Sequence, residues 1–328
     1  MQDEMKKSNS APLLEVKNLK KYFYTHQGIL KAVDDVSFVL EEGKTLGIVG
    51  ESGCGKTTCG RTCVGLYPKT DGVSLYYGED IHKMHGARRR AFTRNVQTIF
   101  QDPYSSLDPR KRVIDIVAEG MDIHKIYENS KDRREKVDEL LYQVGLAKDC
   151  ENRYIHEFSG GQRQRIGIAR ALALNPKLLF CDEPVSALDV SVQAQIINLL
   201  LKLQEDRGLS YLFIAHDLSV VRHFSDQIAV MYLGKIVEVT SADELYVRPM
   251  HPYTKALISS IPIPDPQTER TRNRIRLKGD AISEMGNNDG CKYYSRCPYA
   301  TEQCRDVKPQ LEEIERGHQV ACHRRDIF

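Results

Sequence analysis

Eight consecutive residues, Gly50-Glu51-Ser52-Gly53-Cys54-Gly55-Lys56-Thr57, follow the spacing G-x-x-x-x-G-K-[ST]. Glycines at these positions let successive backbone N–H groups converge on phosphate oxygens, Lys56 brings a cation to the β and γ phosphates, and the Thr57 hydroxyl is suited to ligate Mg²⁺. Further along, Asp182 and Glu183 close the apolar run Leu178-Leu179-Phe180-Cys181. One such carboxylate can hold a Mg²⁺ shell while its neighbour accepts a proton from water. Two adjacent acids alone are usually an ordinary strand end, and the lone His216 after the apolar run 212–215 is by itself more often structural. Their company with the phosphate loop makes both candidates for hydrolysis, with His216 at the γ-phosphate. Between the loop and the acids lies Ser159-Gly160-Gly161-Gln162, a second glycine-containing segment that opens a helical stretch.

Elements must hold these groups in place. Residues 46–49, 178–181 and 212–215 are short apolar runs without alternation, as expected of strands buried on both faces of a parallel sheet. Each is followed by polar residues, where open α/β sheets place ligand chemistry. Residues 13–23 and 32–40 alternate partially and predict antiparallel strands. A helix is expected from Thr57, another through Val137, Leu140, Leu141 and Val144, and a third through Val192, Ile196, Leu199, Leu200 and Leu203, ending before Gly208. Residues 228–232 and 236–239, joined by Leu233-Gly234-Lys235, predict a closing hairpin. After Met250 the pattern is interrupted by Pro252, Pro262, Pro264 and Pro266, and a charged stretch over 269–278 follows. A boundary is expected near residue 245, with a linker leading to a tail.

A chain of 328 residues accommodates one large core and a smaller appendage. Its charged fraction of 28% and apolar fraction of 41% fit a globular protein, and no apolar run is long enough to span a bilayer. Residues 1–12 are expected to be flexible, and with no apolar stretch behind Lys6 and Lys7 they predict a chain that remains in the cytoplasm. A net charge of +2 gives no global attraction to nucleic acid, and Arg88-Arg89-Arg90 fits a solvated face.

Of nine cysteines, Cys291, Cys297, Cys304 and Cys322 crowd into the tail, with five, six and seventeen residues between them. In a reducing compartment such density favours metal binding over disulfides. Four thiolates can ligate one Zn²⁺ or one iron–sulfur cluster, and His318 and His323 are candidate ligands for a mixed zinc site.

Taken together, the motifs resemble those of the ATP-binding subunits of ABC transporters over most of residues 13–245. Phe158-Ser159-Gly160-Gly161-Gln162 resembles the family signature, Gln101 in Phe100-Gln101-Asp102-Pro103 the Q-loop, Ser186-Ala187-Leu188-Asp189 the D-loop and His216 the switch histidine. Phe23 falls where the family stacks an aromatic on adenine. The resemblance implies an α/β P-loop NTPase cassette, with a RecA-like core, an antiparallel β subdomain, a helical subdomain over about 102–173, and a small C-terminal Cys-rich extension over 246–328. It implies ATP held by Gly50 to Thr58 and Gln101, Mg²⁺ held by Thr57, Gln101 and Asp182, Glu183 as general base, and His216 positioning the γ-phosphate. Two such domains would meet head to tail, so that Ser159, Gly160, Gly161, Gln162 and Asp189 complete a neighbour's site.

A closer resemblance is to the oligopeptide/dipeptide importer ATPases. It rests on the phosphate loop, on residues 101–110 and on His251-Pro252-Tyr253-Thr254-Lys255-Ala256-Leu257. Gly60-Arg61-Thr62 and Tyr104 are more similar to the F-type subunit of the pair. That implies a D-type ATPase partner, two integral membrane permease subunits, an extracytoplasmic substrate-binding protein acting indirectly, and a peripheral position on the cytoplasmic side of the cell membrane. The tail resembles one associated with a [4Fe–4S] cluster, with Zn²⁺ as the alternative. Other small solutes such as nickel complexes enter through related systems. Two other readings stand beside this one. An ABC ATPase acting on nucleic acid or ribosomes would carry two cassettes or long coiled coils, and this chain has one phosphate loop and no heptad run. A nucleotide sensor without turnover would not need Glu183.

Overall fold

The structure is a computed structural model and describes residues 11–26, 28–262, 265, 274–275 and 290–325. Most of the expected N-terminal segment and most of the proline-broken linker lie outside the described residues. An eight-stranded sheet runs in the order β11-β12-β10-β9-β3-β8-β7-β6. Its centre is parallel: β3 (Thr45–Val49), β6 (Val96–Ile99), β7 (Leu178–Asp182), β8 (Ser210–Ile214) and β9 (Gln227–Tyr232). Every residue of β3, β7 and β8 is buried, which explains the absence of alternation in their sequences.

A second sheet is antiparallel, in the order β2-β1-β4-β5, from β1 (Leu14–Thr25), β2 (Gly28–Leu40), β4 (Asp71–Tyr76) and β5 (Glu79–Asp80). Its apolar face and one face of the large sheet enclose a core containing Val16, Val36, Ile48, Phe180 and Ile214. The opposite face, through Val49, Leu179 and Cys181, belongs to a second core shared with the helices. These include α4 (Val113–His124), α5 (Ser130–Gln143) and α6 (Gly160–Leu172), which with the short α3 (Pro103–Ser106) form the helical stretch between β6 and β7. The helix α7 (Val190–Arg207) ends at Gly208, which adopts φ 64° and closes it in the left-handed conformation.

Between the two sheets lies α1 (Lys56–Cys63). A Cβ added at Gly60 would come within 2.3 Å of the Phe180 ring, so only glycine lets α1 rest directly on β7. That approach brings Thr57, at the start of α1, against Asp182, at the end of β7. The remaining helices are α2 (Gly86–Asn95), α8 (Leu218–Phe224), α9 (Ala242–Val247), α10 (Pro252–Ser259) and α11 (Glu302–Asp306). Pro252 does not interrupt structure as its sequence context suggests. It stands at the first position of α10, where a missing N–H costs nothing.

The predicted hairpin is β9 followed by β10 (Lys235–Ser241), joined by Leu233 and Gly234 at φ 41° and 84°. Two positive φ values match the twist of a tight hairpin. The tail then returns to this sheet. Strand β12 (His318–Val320) pairs antiparallel with β10, and β11 (Glu312–Glu315) pairs with β12. Glu238 of β10 is fully buried and accepts hydrogen bonds from Met250 N (2.7 Å), His251 N (2.9 Å) and His318 Nε2 (2.8 Å). One carboxylate therefore ties the start of α10 and the last strand to the core sheet.

Candidate nucleotide-hydrolysis site

The loop after β3 depends on glycine at two points. A Cβ on Gly50 would sit 2.1 Å from the Met231 carbonyl oxygen, and one on Gly55, at φ 105°, would sit 2.1 Å from that of Ala32. The loop is thus pressed between β9 and β2. Gly55 caps α1 without any side-chain hydrogen bond, so the first-turn amides remain available to an anion. Lys56 is buried and reaches back along the loop, its Nζ donating to Gly50 O (2.9 Å) and Glu51 O (3.0 Å). Cys54 is also buried, and desolvation pushes its thiol up to about 11 against the opposing pull of Lys56. The thiol stays protonated, and the residue serves the site through its backbone.

Asp182 is fully buried and has two partners on α1. Thr57 Oγ1 donates to Oδ1 (2.8 Å), and Arg61 Nε donates to Oδ2 (3.1 Å). Glu183 follows with φ 48°, a left-handed backbone that costs a residue with a side chain roughly 1–3 kcal/mol. Neighbours hold it there: Glu183 N donates to Ile214 O (3.1 Å), and Ser186 Oγ donates to Glu183 O (3.1 Å). Its carboxylate accepts from Gln101 Nε2 (2.9 Å) and lies 3.7 Å from His216 Nδ1. Phe23, Ser52 to Thr58, Gln101 and Glu183 line one cavity of about 470 Å³. Phe23 is held edge-on to Tyr67 with the Lys21 ammonium 4.8 Å from its ring centre.

Ser159, Gly160, Gly161, Gln162 and Asp189 do not line that cavity. Ser159 caps α6 through a reciprocal pair of bonds: Gln162 N donates to its Oγ (3.4 Å), and Ser159 N donates to Gln162 Oε1 (3.0 Å). A Cβ on Gly161 would lie 2.5 Å from Val192 Cγ1, so the segment is fitted against the start of α7. Asp189 caps that helix, accepting from Val192 N (3.0 Å), and the Ser191 hydroxyl holds its carboxyl below the usual carboxylate range.

Sequence reasoning missed four residues. Arg61 shares Asp182, and the signal available was its place one turn beyond Thr57 on α1. Tyr253 accepts from Glu51 N (2.9 Å), Arg296 forms an ion pair with the Glu51 carboxylate, and Lys292 lines the cavity. Tyr253 stands in a stretch recognised only as a family likeness. Arg296 and Lys292 carry no local signal, because they lie far along the chain from the loop.

The tail thiols are all free. Among the described residues no group of three or more His, Cys, Asp or Glu side chains comes close enough to hold a metal ion. Burial pushes the Cys291 thiol up to about 12, and Cys291 N donates to Cys304 O (2.7 Å), which brings these two segments of the tail together. The two candidate histidine ligands are engaged elsewhere, His318 with Glu238 and His323 Nε2 with Val307 O (2.9 Å).

A phosphate loop under a parallel sheet, an acid pair at the end of β7 and a separate glycine-containing helix start together define an ATP-binding cassette. The "ABC transporter" family model matches residues 33–186, and "Oligopeptide/dipeptide transporter, C-terminal region" matches 237–304. The oligopeptide transport ATP-binding protein OppF of Bacillus subtilis is 54% identical, over 94% of this chain and 96% of that protein. OppF of Salmonella typhimurium is 49% identical, over 94% and 92%. Among solved structures, a dimeric ATP-binding cassette in a post-hydrolysis state with ADP and Pi superposes with TM-score 0.63 at 28% identity, covering 70% of this chain and 98% of that one. The cassette cbiO1 of Clostridium perfringens shares the fold, with TM-score 0.64 at 24% identity over 73% and 92% of the two chains. The chain belongs to the oligopeptide transport ATP-binding proteins of the ABC transporter family.

Proposed function

We propose that this chain binds and hydrolyses ATP as the energising subunit of an importer of oligopeptides or dipeptides. The observation that carries the reading is the convergence of Phe23, the phosphate loop, Gln101 and Glu183 on one cavity, with Asp182 set against Thr57 beneath it. The donors at that point, a hydroxyl, a carboxylate and a side-chain amide, are hard oxygen groups that suit Mg²⁺. When bound, the ion would neutralise phosphate charge. The chain's own residues do the remainder. Loop amides and Lys56 bind the phosphates, Glu183 accepts a proton from the attacking water, His216 and Gln101 orient that carboxylate, and Phe23 stacks on the base.

The signature residues stand outside this cavity, which supports a site closed by a second cassette. We assign Ser159 to Gln162 and Asp189 to the site of a paired D-type ATPase. Residues 13–245 form the cassette and 246–328 the extension. Two membrane permeases dock beside the Q-loop, where exposed Tyr104 and the 390 Å³ groove over Leu107, Ile116 and Arg170 offer a surface, and an extracytoplasmic binding protein delivers the peptide. No helix among the described residues is long and apolar enough to cross a membrane, in keeping with a peripheral subunit on the cytoplasmic side. The test is peptide uptake by proteoliposomes holding the complete transporter, with Lys56→Ala in this subunit. Uptake and ATP binding are expected to fall together; uptake that persists without ATP binding here overturns the assignment.

A second reading concerns the tail. We infer from the crowding of Cys291, Cys297, Cys304 and Cys322 in the tail, with Cys291 N hydrogen-bonded to Cys304 O, a [4Fe–4S] cluster, with zinc as the alternative, and no step of hydrolysis passes through it. Iron and acid-labile sulfide in anaerobically purified protein are the expected result. Zinc alone would decide for the alternative.

A further inference from the structure

The phosphate loop contains an acid where a polyanion must bind. Glu51 is the second residue of the loop, and an unbalanced carboxylate there would repel incoming phosphates. The C-terminal extension supplies the balance. Arg296 Nη1 donates to Glu51 Oε2 (2.8 Å) and Nη2 to Oε1 (3.0 Å), a two-bond fork between planar groups. The Arg296 side chain is only 7% exposed and that of Glu51 24%, so water and salt screen the pair poorly. Tyr232 fixes the guanidinium, accepting from Nη1 (3.3 Å). Tyr253 accepts from the Glu51 backbone, so both halves of this residue are held from the C-terminal side. Four residues before Arg296, Lys292 lines the same cavity as Phe23 and the loop. The tail segment thus reaches the nucleotide cavity itself as well as the outside of the loop.

We propose that Arg296 is a positioning residue of the ATP site: by holding Glu51 it sets the affinity of the phosphate loop for nucleotide and makes the Cys-rich extension part of the site. The inference rests on the reading of this cavity as an ATP site. A merely structural ion pair would act on stability, and buried pairs often contribute little of that. A positioning role acts on nucleotide affinity and depends on the charge of Glu51.

The experiment uses the full-length chain, with MgATP affinity measured by titration calorimetry alongside urea unfolding. Wild type must bind MgATP; if it does not, the ATP-site reading fails and Arg296 is not at issue. Arg296→Ala is expected to weaken binding about tenfold, the order of one lost charge-assisted hydrogen bond. Adding Glu51→Gln to it removes the stranded carboxylate and is expected to recover most of the loss. Affinity in Arg296→Ala within about twofold of wild type overturns the proposal. A loss that Glu51→Gln leaves in place also overturns it, because Arg296 would then act independently of Glu51. Should Arg296→Ala fail to fold, Arg296→Gln keeps most of the packed stem and is read in the same way.

Discussion

The helices α1 and α6 both begin at glycine-bearing turns, and they are finished in opposite ways. The start of α1 has no side-chain cap, and its loop is held from outside, by Gly234 N on Cys54 O (2.8 Å), by Tyr253 on Glu51 and by the ion pair with Arg296. The start of α6 satisfies itself through Ser159 and Gln162 and borrows only a packing surface from α7. An uncapped, externally braced start keeps its amides for a ligand. A self-capped one is complete until something replaces its cap, and its 3.4 Å capping bond is long enough to be given up readily. The difference teaches that one helix start is left open to an anion while the other holds its amides in reserve.

The comparison breaks first at Glu183. Glu183→Gln should lower ATP turnover of the assembled transporter roughly 10²–10⁴-fold, the range for loss of a general base, while MgATP binding persists. Turnover near wild type would remove the α1 side from catalysis. Acid should reach the brace next. Burial holds the His251 imidazole at about 4, against 6.5 in the unfolded chain, because the ring is desolvated. Its Nδ1 accepts from Tyr253 N (3.1 Å) only when neutral. The unfolded state therefore binds more protons between these values, so stability is full above about pH 6.5 and declines as pH falls towards 4. The loss is on the order of 3 kcal/mol and should be absent from His251→Asn in urea melts over that range.

The reserve side responds more mildly in the isolated chain. Gly161→Ala places a methyl against Val192 and should cost about 1–3 kcal/mol of stability, with the larger effect on turnover of the complete transporter. An isolated variant with weakened MgATP affinity would show that the signature belongs to its own chain's site. Smallest of all, Ser159→Ala removes a cap that its bond length marks as weak. A stability loss near 1 kcal/mol or less is expected in thermal melts.

Much of this site was legible because its signals are local. Four-residue apolar runs betrayed β3, β7 and β8, since burial on both faces leaves no alternation to hide them. The phosphate loop and the acids at the end of β7 follow directly from those strands. The helix start at Ser159 was legible too, although its reciprocal cap with Gln162 emerged only from the structure. What escaped was non-local or weakly patterned. The sequence of β11 is acid-rich, and β12 has only three residues, so pairing with β10 rather than propensity makes them strands. Arg296 meets Glu51 across 245 positions, a distance at which no periodicity speaks. The thiols suggested a ligand set by number and crowding, but spacing alone did not determine where the sulfurs point.

The pairing of β12 with β10 has a consequence for biosynthesis. Because β12 leaves the ribosome after nearly everything it covers, β10 must wait with an open edge and Glu238 must wait for the His318 ring. A chain that stops short of residue 318 keeps that edge exposed as a template for strands of other molecules. Truncation would thus be met by aggregation or proteolysis before it was felt as a fault in the ATP site.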